Sequence, residues 1–186
     1  SKILSGKDLV GIAQTGTGKT LAYCLPLLQE LSYSNQNNPR VLILVPTREL
    51  VSQVVETLNE LTKYITCRII GVYGGTNINT QKIWLQDGAD IVVATPGRLY
   101  DLALCRSLQL KGIKKVVIDE VDIMLDLGFY FQLTNIFELL PSKKQNIMFS
   151  ATMTEDVSYL IDSFFSKPEK VQIALSGTPL NNIVQS

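Results

Sequence analysis

The fold of this chain is decided by the stretch GIAQTGTGKT, Gly11–Thr20. An apolar run, Leu9–Ala13, leads directly into a loop that contains Gly16 and Gly18 and ends in a lysine and a threonine. A buried strand that passes through a glycine-rich turn into a helix is the basic unit of a parallel α/β sheet. We therefore expect an α/β domain with this turn at one edge of its sheet.

Further apolar runs follow along the chain and alternate with helical patterns. Most are continuous rather than alternating, which is typical of strands buried on both faces of a parallel sheet. The predicted strands are Leu9–Ala13, Val41–Pro46, Cys67–Gly74, Asp90–Pro96, Lys114–Glu120, Asn146–Thr152 and Lys170–Leu175. This order predicts an open, doubly wound, mostly parallel sheet flanked by helices.

Three helices between the strands are predicted from apolar stripes at helical spacing. The first has a threonine, Thr47, placed to cap its start. The third starts at Thr154 and has two acids in its first turn, where the helix dipole favours them. The stripes consist of Leu50, Val54, Leu58, Leu61 and Ile65 in the first helix, of Phe129, Leu133, Ile136, Phe137 and Leu140 in the second, and of Val157, Leu160, Ile161 and Phe164 in the third.

The composition excludes several classes of protein. The chain has 186 residues, of which 46% are hydrophobic and 18% are charged. This composition predicts one folded domain and not a disordered chain. We find no membrane-spanning run and no signal peptide, and we expect a cytoplasmic protein without membrane partners. The net charge of zero argues against a general positive field, so nucleic acid would have to be held by a few placed groups.

The cysteine and histidine content argues against a disulfide framework, a zinc site and histidine-dependent catalysis. Cys24, Cys67 and Cys105 are far apart and form no CxxC pair, so we interpret them as reduced, mostly core thiols. The chain has no histidine, which excludes Ser-His-Asp and Cys-His catalysis within it and argues against a zinc site.

The segment AQTGTGKT has the features of a phosphate-binding loop, because it follows a predicted strand and opens a helix. Its glycines allow backbone N–H groups to surround phosphate oxygens. Lys19 would reach the β- and γ-phosphates, and the Thr20 hydroxyl would bind Mg²⁺. The alternative is a glycine-rich turn with an incidental lysine. The predicted nucleotide-binding residues are Ala13, Gln14, Thr15, Gly16, Thr17, Gly18, Lys19 and Thr20.

Two adjacent acids, Asp119 and Glu120, end the apolar run KKVVIDEVD. Their side chains should start on opposite sides of the strand, so that one can face a metal while the other faces an attacking water. Asp119 would then hold Mg²⁺ through its water shell, and Glu120 would activate the nucleophile. The alternative is an ordinary acidic strand end. A phosphate loop followed by such a pair favours nucleotide hydrolysis.

Taken together, these segments resemble the motifs of the DEAD-box RNA helicases, in the first of their RecA-like domains. The resemblance covers essentially the whole chain and keeps the family's order. It implies a RecA-like P-loop NTPase domain that uses ATP and Mg²⁺ to remodel RNA duplexes or RNA–protein complexes. The matching segments are AQTGTGKT at 13–20, PTREL at 46–50, GG at 74–75, TPGR at 95–98, DEVD at 119–122 and SAT at 150–152.

The resemblance also implies roles for individual residues. Lys19 and Thr20 would bind phosphate and Mg²⁺, Asp119 would bind Mg²⁺ through water, and Glu120 would be the catalytic base. The residues implied to couple hydrolysis to strand separation are Asp122, Ser150 and Thr152. The residues implied to contact the RNA sugar-phosphate backbone are Thr47, Arg48, Gly75, Thr95 and Arg98.

Each of these implied roles has a structural alternative. Arg48 and Arg98 could be arginines on a helix surface, Thr47 a cap alone, and Ser150 a buried hydroxyl bonded to the backbone. Hydroxyls, backbone N–H groups and arginines nevertheless suit phosphate oxygens, and such contacts carry no base code.

The chain departs from the family pattern in several ways. Val121 stands where the family has alanine, but the acids are intact, so we expect the chemistry to survive. The family's adenine-recognising segment upstream and its second RecA-like domain are outside this sequence. We therefore expect a domain at 1–176, the start of a linker at 177–186, and little hydrolysis by this fragment alone.

Two other functions compete with an RNA helicase. One is a DNA helicase or translocase with a RecA-like core, against which PTREL and TPGR argue. The other is an RNA-binding scaffold that keeps the fold without turnover, against which the intact Lys19, Thr20, Asp119 and Glu120 argue.

Overall fold

Seven strands form one sheet in which every neighbouring pair is parallel. This is seen in a computed structural model that describes residues 2–14 and 16–172. The sheet order is β3-β4-β2-β5-β6-β1-β7, which confirms the predicted fold class. The strands are β1 Leu9–Ile12, β2 Val41–Leu44, β3 Ile69–Val72, β4 Ile91–Ala94, β5 Lys115–Ile118, β6 Gln145–Ser150 and β7 Glu169–Gln172.

Seven helices connect these strands within the described residues, and a short 3₁₀ turn, Lys2–Ser5, precedes β1. Thr47 caps its helix as predicted, and Thr154 caps α7 in the same way, since each side-chain oxygen accepts the N–H of the residue three positions on, at 3.3 Å. Nowhere in the described ranges is a helix both long and apolar enough to cross a membrane. The helices are α1 Lys19–Glu30, α2 Arg48–Leu61, α3 Ile78–Gln86, α4 Pro96–Leu104, α5 Val121–Asp126, α6 Tyr130–Leu139 and α7 Glu155–Phe164.

Ile65 and Phe164 are two places where the predicted apolar stripes differ from the structure. Ile65 lies beyond the end of α2 and is 56% exposed. The helix ends because Thr62 leaves helical geometry and its hydroxyl donates to the Leu58 carbonyl at 2.8 Å. Phe164 at the end of α7 is only partly buried, and Phe165 fills the core instead.

The core consists of two layers, one on each face of the sheet. Along β2, Leu42 and Leu44 belong to one layer, whereas Val41 and Ile43 belong to the other. Because successive side chains of a strand point to opposite faces, a strand covered on both sides must be apolar at every position. This explains why the predicted strands are continuous apolar runs.

The cysteines do not pair, and they differ in exposure. Cys24 is buried, Cys67 is partly buried and Cys105 is exposed, so the prediction of mostly core thiols is wrong for Cys105. Burial raises the pKa of the Cys24 thiol to about 12 and that of Cys67 to about 11.

Buried carboxylates hold the amino ends of the strands together. Asp90, just before β4, lies 3.1 Å from Arg40 Nη2 and 3.2 Å from Arg68 Nε. Asp8, just before β1, accepts the backbone N–H of Asn146 at 2.7 Å and its side-chain amide at 3.1 Å. These contacts join strands that are distant in sequence.

The sheet order also divides the opposite, carboxyl edge into two neighbouring groups. The strands β5, β6 and β1 are adjacent and lead into the DEVD, SAT and AQTGTGKT segments. The strands β2, β4 and β3 are adjacent and lead into PTREL, TPGR and the glycine pair. Motifs that are scattered along the chain are therefore sorted into two groups at one edge. The predicted linker, 177–186, lies outside the described residues.

Candidate functional site

The loop after β1 has the backbone of a phosphate-binding turn. Gly16 and Gly18 have φ of 81° and 78°, a left-handed conformation that favours glycine. Gly18 is the N-cap of α1, whose first N–H groups face the loop and have no partner within the helix. The Thr17 hydroxyl donates to the Gln14 carbonyl at 2.8 Å and closes the turn. Thr15, another predicted contact, lies outside the described residues.

Lys19 is a buried cation at the base of this loop. Its side chain is 6% exposed, and Nζ donates to the Ala13 carbonyl at 3.2 Å and lies 3.6 Å from Asp119 Oδ1. That oxygen is buried and has no hydrogen-bond partner among the described residues. Burial raises the pKa of Asp119, although the charge of Lys19 opposes the shift. The half-buried Thr20 follows Lys19 in the first turn of α1.

The acid pair adopts a geometry that differs from the prediction. Because β5 ends at Ile118, neither acid lies on the strand, and pleating does not separate their side chains. The chain turns at Glu120, whose φ and ψ of 56° and 49° are left-handed, and α5 begins immediately after it. Burial raises the pKa of Glu120, and the negative charge of Asp119 raises it further. Such a backbone conformation costs a non-glycine residue about 1–3 kcal/mol, and it occurs mainly at functional sites.

Hydrogen bonds bring together the residues predicted to couple hydrolysis to strand separation. Asp122 Oδ2 accepts the N–H of Ala151 at 3.1 Å, and it accepts the N–H and the hydroxyl of Thr152, both at 3.0 Å. The Ser150 hydroxyl is fully buried and donates to the Thr152 carbonyl at 2.6 Å. The start of α5 is thus tied to the loop that leaves β6.

The first part of the predicted RNA surface follows β2. Thr47 is partly buried and caps α2, so it has at least the structural role of a helix cap. Arg48 is exposed, and its guanidinium carbon lies 5.1 Å above the centre of the Tyr73 ring. This contact joins the start of α2 to the loop after β3.

The second part of that surface follows β3 and β4. Gly75 is exposed with a φ of 78°, and Thr95 is buried at the start of α4. Arg98 is 9% exposed, so the alternative of a helix-surface arginine is wrong for this residue. Its Nη2 donates to the Thr76 carbonyl at 2.8 Å, whereas Nε and Nη1 are buried without a partner in the described structure.

Comparison with known proteins identifies the family. Residues 1–160 match the family model of the DEAD/DEAH box helicases. The chain belongs to this family. The motif resemblance is thereby confirmed.

Relatives of this DEAD-box chain include proteins named as RNA helicases. It is 41% identical over 170 residues to the ATP-dependent RNA helicase CshA of Listeria monocytogenes, and the alignment covers 91% of this chain and 32% of that protein. It is 40% identical over 185 residues to the ATP-dependent RNA helicase DeaD of Escherichia coli, covering 99% of this chain and 29% of that protein. The chain thus spans about a third of the length of these relatives.

Two solved structures share the fold, one of a DEAD-box splicing factor and one of a hypothetical RNA helicase. The yeast splicing factor Prp28 superposes with a TM-score of 0.86 at 36% identity, covering 92% of this chain and 42% of that one. A hypothetical ATP-dependent RNA helicase from Sulfolobus tokodaii superposes with a TM-score of 0.84 at 34% identity, and the match covers 92% of this chain and 49% of that one.

The variant residue of the DEAD-box motif, Val121, is fully buried in the main core layer. Met124 of the same helix and Ile118 of β5 belong to the same core layer. The core therefore accommodates the larger side chain.

Sequence reasoning missed Tyr23, a residue of α1 that lies close to the base of the glycine loop in this DEAD-box chain. It is fully buried, its hydroxyl lies beside Asp119 and Thr20 without closing a well-formed hydrogen bond, and its ring centre is 5.7 Å from that of Phe149. Burial and the charge of Asp119 raise its pKa. Its position four residues after Lys19, hence on the same helix face, is the signal that could have found it.

Sequence reasoning also missed Gln81 of α3, a fully buried amide beside the glycine pair. A glutamine within an otherwise polar segment gives no sequence signal that it is buried.

Proposed function

We propose that the full-length protein is an ATP-dependent RNA helicase of the DEAD-box type, and that this chain is its ATP-binding domain. The observation that carries the proposal is the pair formed by Lys19 and Asp119. An ammonium and a carboxylate face each other at 3.6 Å under a glycine loop, and one oxygen of Asp119 is buried without a hydrogen bond. A phosphate group beside Lys19 and a magnesium-bound water beside Asp119 would satisfy both groups.

The nucleotide-binding roles follow from this fit. Bound Mg²⁺–ATP supplies the phosphoanhydride bond that is broken and a cation that neutralises phosphate charge. The residues from Ala13 to Thr20 would hold the phosphates through backbone N–H groups, Lys19 would orient the terminal phosphate, and Thr20 and Asp119 would hold Mg²⁺. The Glu120 carboxylate would orient the attacking water and accept its proton. Its raised pKa makes it a stronger base than an exposed glutamate.

The RNA-binding roles are supported by the second group of strand ends. Thr47, Arg48, Gly75, Thr95 and Arg98 would contact the sugar-phosphate backbone, because they follow the adjacent strands β2, β4 and β3. The buried, unpartnered guanidinium nitrogens of Arg98 support an anionic ligand there. Contacts to 2′-hydroxyls would select RNA over DNA.

The coupling role is supported by the position of Asp122 between the two acids of the nucleotide site and the loop after β6. A shift of α5 on hydrolysis would be felt by Ser150 and Thr152, because both belong to the same hydrogen-bonded cluster. A second RecA-like domain in the full-length protein would supply the arginines and the other part of the RNA surface that this chain lacks. The unpaired thiols support a cytoplasmic location.

Steady-state ATPase activity of the full-length protein tests the proposal. We expect turnover that single-stranded RNA stimulates and that Lys19→Ala reduces by at least about 100-fold, because phosphate positioning and charge stabilisation are lost together. Lys63→Ala, at an exposed lysine of the same domain, is the matched control and should behave like wild type.

The same assay separates the competing functions. Stimulation by DNA alone would identify a DNA motor instead. Absence of turnover with either nucleic acid, together with retained RNA binding, would identify an RNA-binding scaffold.

A further inference from the structure

We propose that Gln81 is a positioning residue that holds the turn Tyr73–Thr76 in the shape that receives the RNA backbone. This role rests on the proposed function, because it concerns the turn that would contact RNA through Gly75. Gln81 itself lies beneath that turn and would not touch the nucleic acid.

Gln81 is an unusual residue for the interior of this domain. It is fully buried on α3, although its neighbours Ile83 and Trp84 are 61% and 47% exposed. Glutamine is rarely buried so completely, and a buried amide must be hydrogen-bonded to be tolerated. The buried face of α3 therefore holds Gln81 beside Leu85, while two large apolar side chains of the same helix lie outward, which packing alone would not select.

The hydrogen bonds of Gln81 all go to the turn. Its Nε2 donates to the Tyr73 carbonyl at 3.0 Å and to the Thr76 hydroxyl at 2.7 Å. The Thr76 hydroxyl donates in turn to the Tyr73 carbonyl at 3.3 Å. Because a carbonyl can only accept, the nitrogen of the amide must face the turn. Two ends of the turn are thus fixed by one side chain.

The other end of the same amide shows what the residue is needed for. Gln81 Oε1 is buried and has no hydrogen-bond partner within the described residues. An unsatisfied buried acceptor lowers stability, whereas an apolar residue of the same shape would not. A glutamine is thus poorly chosen for stability at this position, and what it supplies is the pair of donors that shape the turn.

The turn is held from its other side by the helix after β4. Arg98 Nη2 donates to the Thr76 carbonyl at 2.8 Å. Between the two held residues, Gly74 and Gly75 are exposed, and a Cβ added to either would meet no heavy atom within 4 Å. The backbone of the glycine pair is therefore open to a ligand while its flanks are fixed. Because the turn is already ordered, RNA binding would not have to include the entropic cost of ordering it.

Gln81→Met in the full-length protein tests this role, because methionine keeps the length and removes the donors. We expect the RNA concentration for half-maximal ATPase stimulation to rise about tenfold, the equivalent of two modest hydrogen bonds. The KM for ATP and the kcat at saturating RNA should stay within about twofold of wild type, since only the RNA site is disturbed.

Leu85→Ala is the control for a merely structural role. Leu85 is a buried residue of the same helix that packs in the core. It should lower the Tm as much as Gln81→Met does, or more, and leave the RNA concentration for half-maximal stimulation unchanged. An equal loss of RNA affinity in both variants would show that Gln81 only stabilises α3, which overturns the proposal.

Thr76 tests the same bond from the other side, should Gln81→Met fail to fold. Thr76→Val removes the hydroxyl and should weaken RNA stimulation, whereas Thr76→Ser keeps the hydroxyl and should restore it. Wild-type stimulation that persists unchanged in both Gln81→Met and Thr76→Val would overturn this role alone. A wild-type protein without RNA stimulation would overturn the proposed function and this role with it.

Discussion

Glu120 combines a left-handed backbone with burial beside two other acids, Asp119 and Asp122. Each of these features opposes folding, because the backbone is strained and a buried carboxylate loses solvation next to like charges. The same features make the carboxylate a stronger proton acceptor and fix its direction. The residue is therefore best explained by the reaction it would serve and not by stability.

Glu120→Gln should bind nucleotide as well as wild type and lose at least about 100-fold in turnover, the range that a positioned base contributes. The substitution keeps the shape and removes a negative charge close to the phosphates. ATPase activity of the full-length protein, measured beside equilibrium nucleotide binding, checks both parts.

The matched control for this prediction is Glu155→Gln, at an exposed acid in the first turn of α7. It should leave both quantities unchanged. Wild-type turnover in Glu120→Gln would show that another group activates the water.

At the scale of elements, α5 and the loop after β6 are joined through one carboxylate oxygen of Asp122. Asp122→Ala should lower the free energy of unfolding by about 2 kcal/mol, because the charge-assisted bonds that this buried carboxylate accepts are lost. Thr152→Val should lower it by about 1 kcal/mol, the contribution of the hydroxyl alone. Urea unfolding of the chain measures both values.

The double variant Asp122→Ala/Thr152→Val tests whether the two side chains stabilise the domain through one shared hydrogen bond. Adding Thr152→Val to Asp122→Ala should cost nothing further, because the hydroxyl has already lost its acceptor. Thr152→Ser, which keeps the hydroxyl, should remain close to wild type. Fully additive losses would contradict the shared bond.

The sequence predicted the strands well and the helices unevenly, for physical reasons. A strand covered on both faces must be apolar throughout, so β2 and β4 are unmistakable in the sequence. The start of α4 contains a proline and a glycine, which read as a turn, although proline fits the first position of a helix. The helix α3 has weak amphipathicity because its buried face includes Gln81.

The same contrast holds within the site. The spacing of glycines, lysine and acids predicts the proposed nucleotide loop, because phosphate chemistry leaves few alternatives. The left-handed turn at Glu120 and the burial of Arg98 depend on how distant strands meet at the sheet edge. No local pattern in the sequence contains that information.

At the scale of the whole molecule, the two edges of the sheet have different tasks. The carboxyl edge holds the proposed ligand sites, whereas the amino edge is held by buried carboxylates such as Asp90. Replacing Asp90 by asparagine should lower the free energy of unfolding by about 3–5 kcal/mol, because Arg40 and Arg68 would each lose a charged partner.

The Asp90 variant should also change the acid dependence of stability. Burial alone would raise the pKa of Asp90, but hydrogen bonds from Arg68 and then Arg40 outweigh it and hold the pKa below its ordinary value. The stabilisation that Asp90 contributes is therefore complete above its pKa in the unfolded chain, about 3.9. It is lost as pH falls through the lower pKa that Asp90 has in the folded protein.

Urea unfolding between pH 3 and pH 7 checks this prediction: wild type should lose stability below about pH 4, and Asp90→Asn should show a shallower loss. Asp87→Asn, at an exposed acid nearby, should keep the wild-type profile. Parallel profiles for wild type and Asp90→Asn would mean that other carboxylates dominate acid unfolding.

The place of β1 in the sheet has a consequence for biosynthesis. Leu9 pairs with Ile147 on one side and Glu169 on the other, and Asp8 finds its partner Asn146 only 138 residues later. At a translation rate of roughly 5–20 residues per second, the strand waits roughly 7–28 s for its first neighbour. The loop that follows β1 thus takes shape only after β6 has been synthesised, so the proposed nucleotide site would form late in the synthesis of this domain.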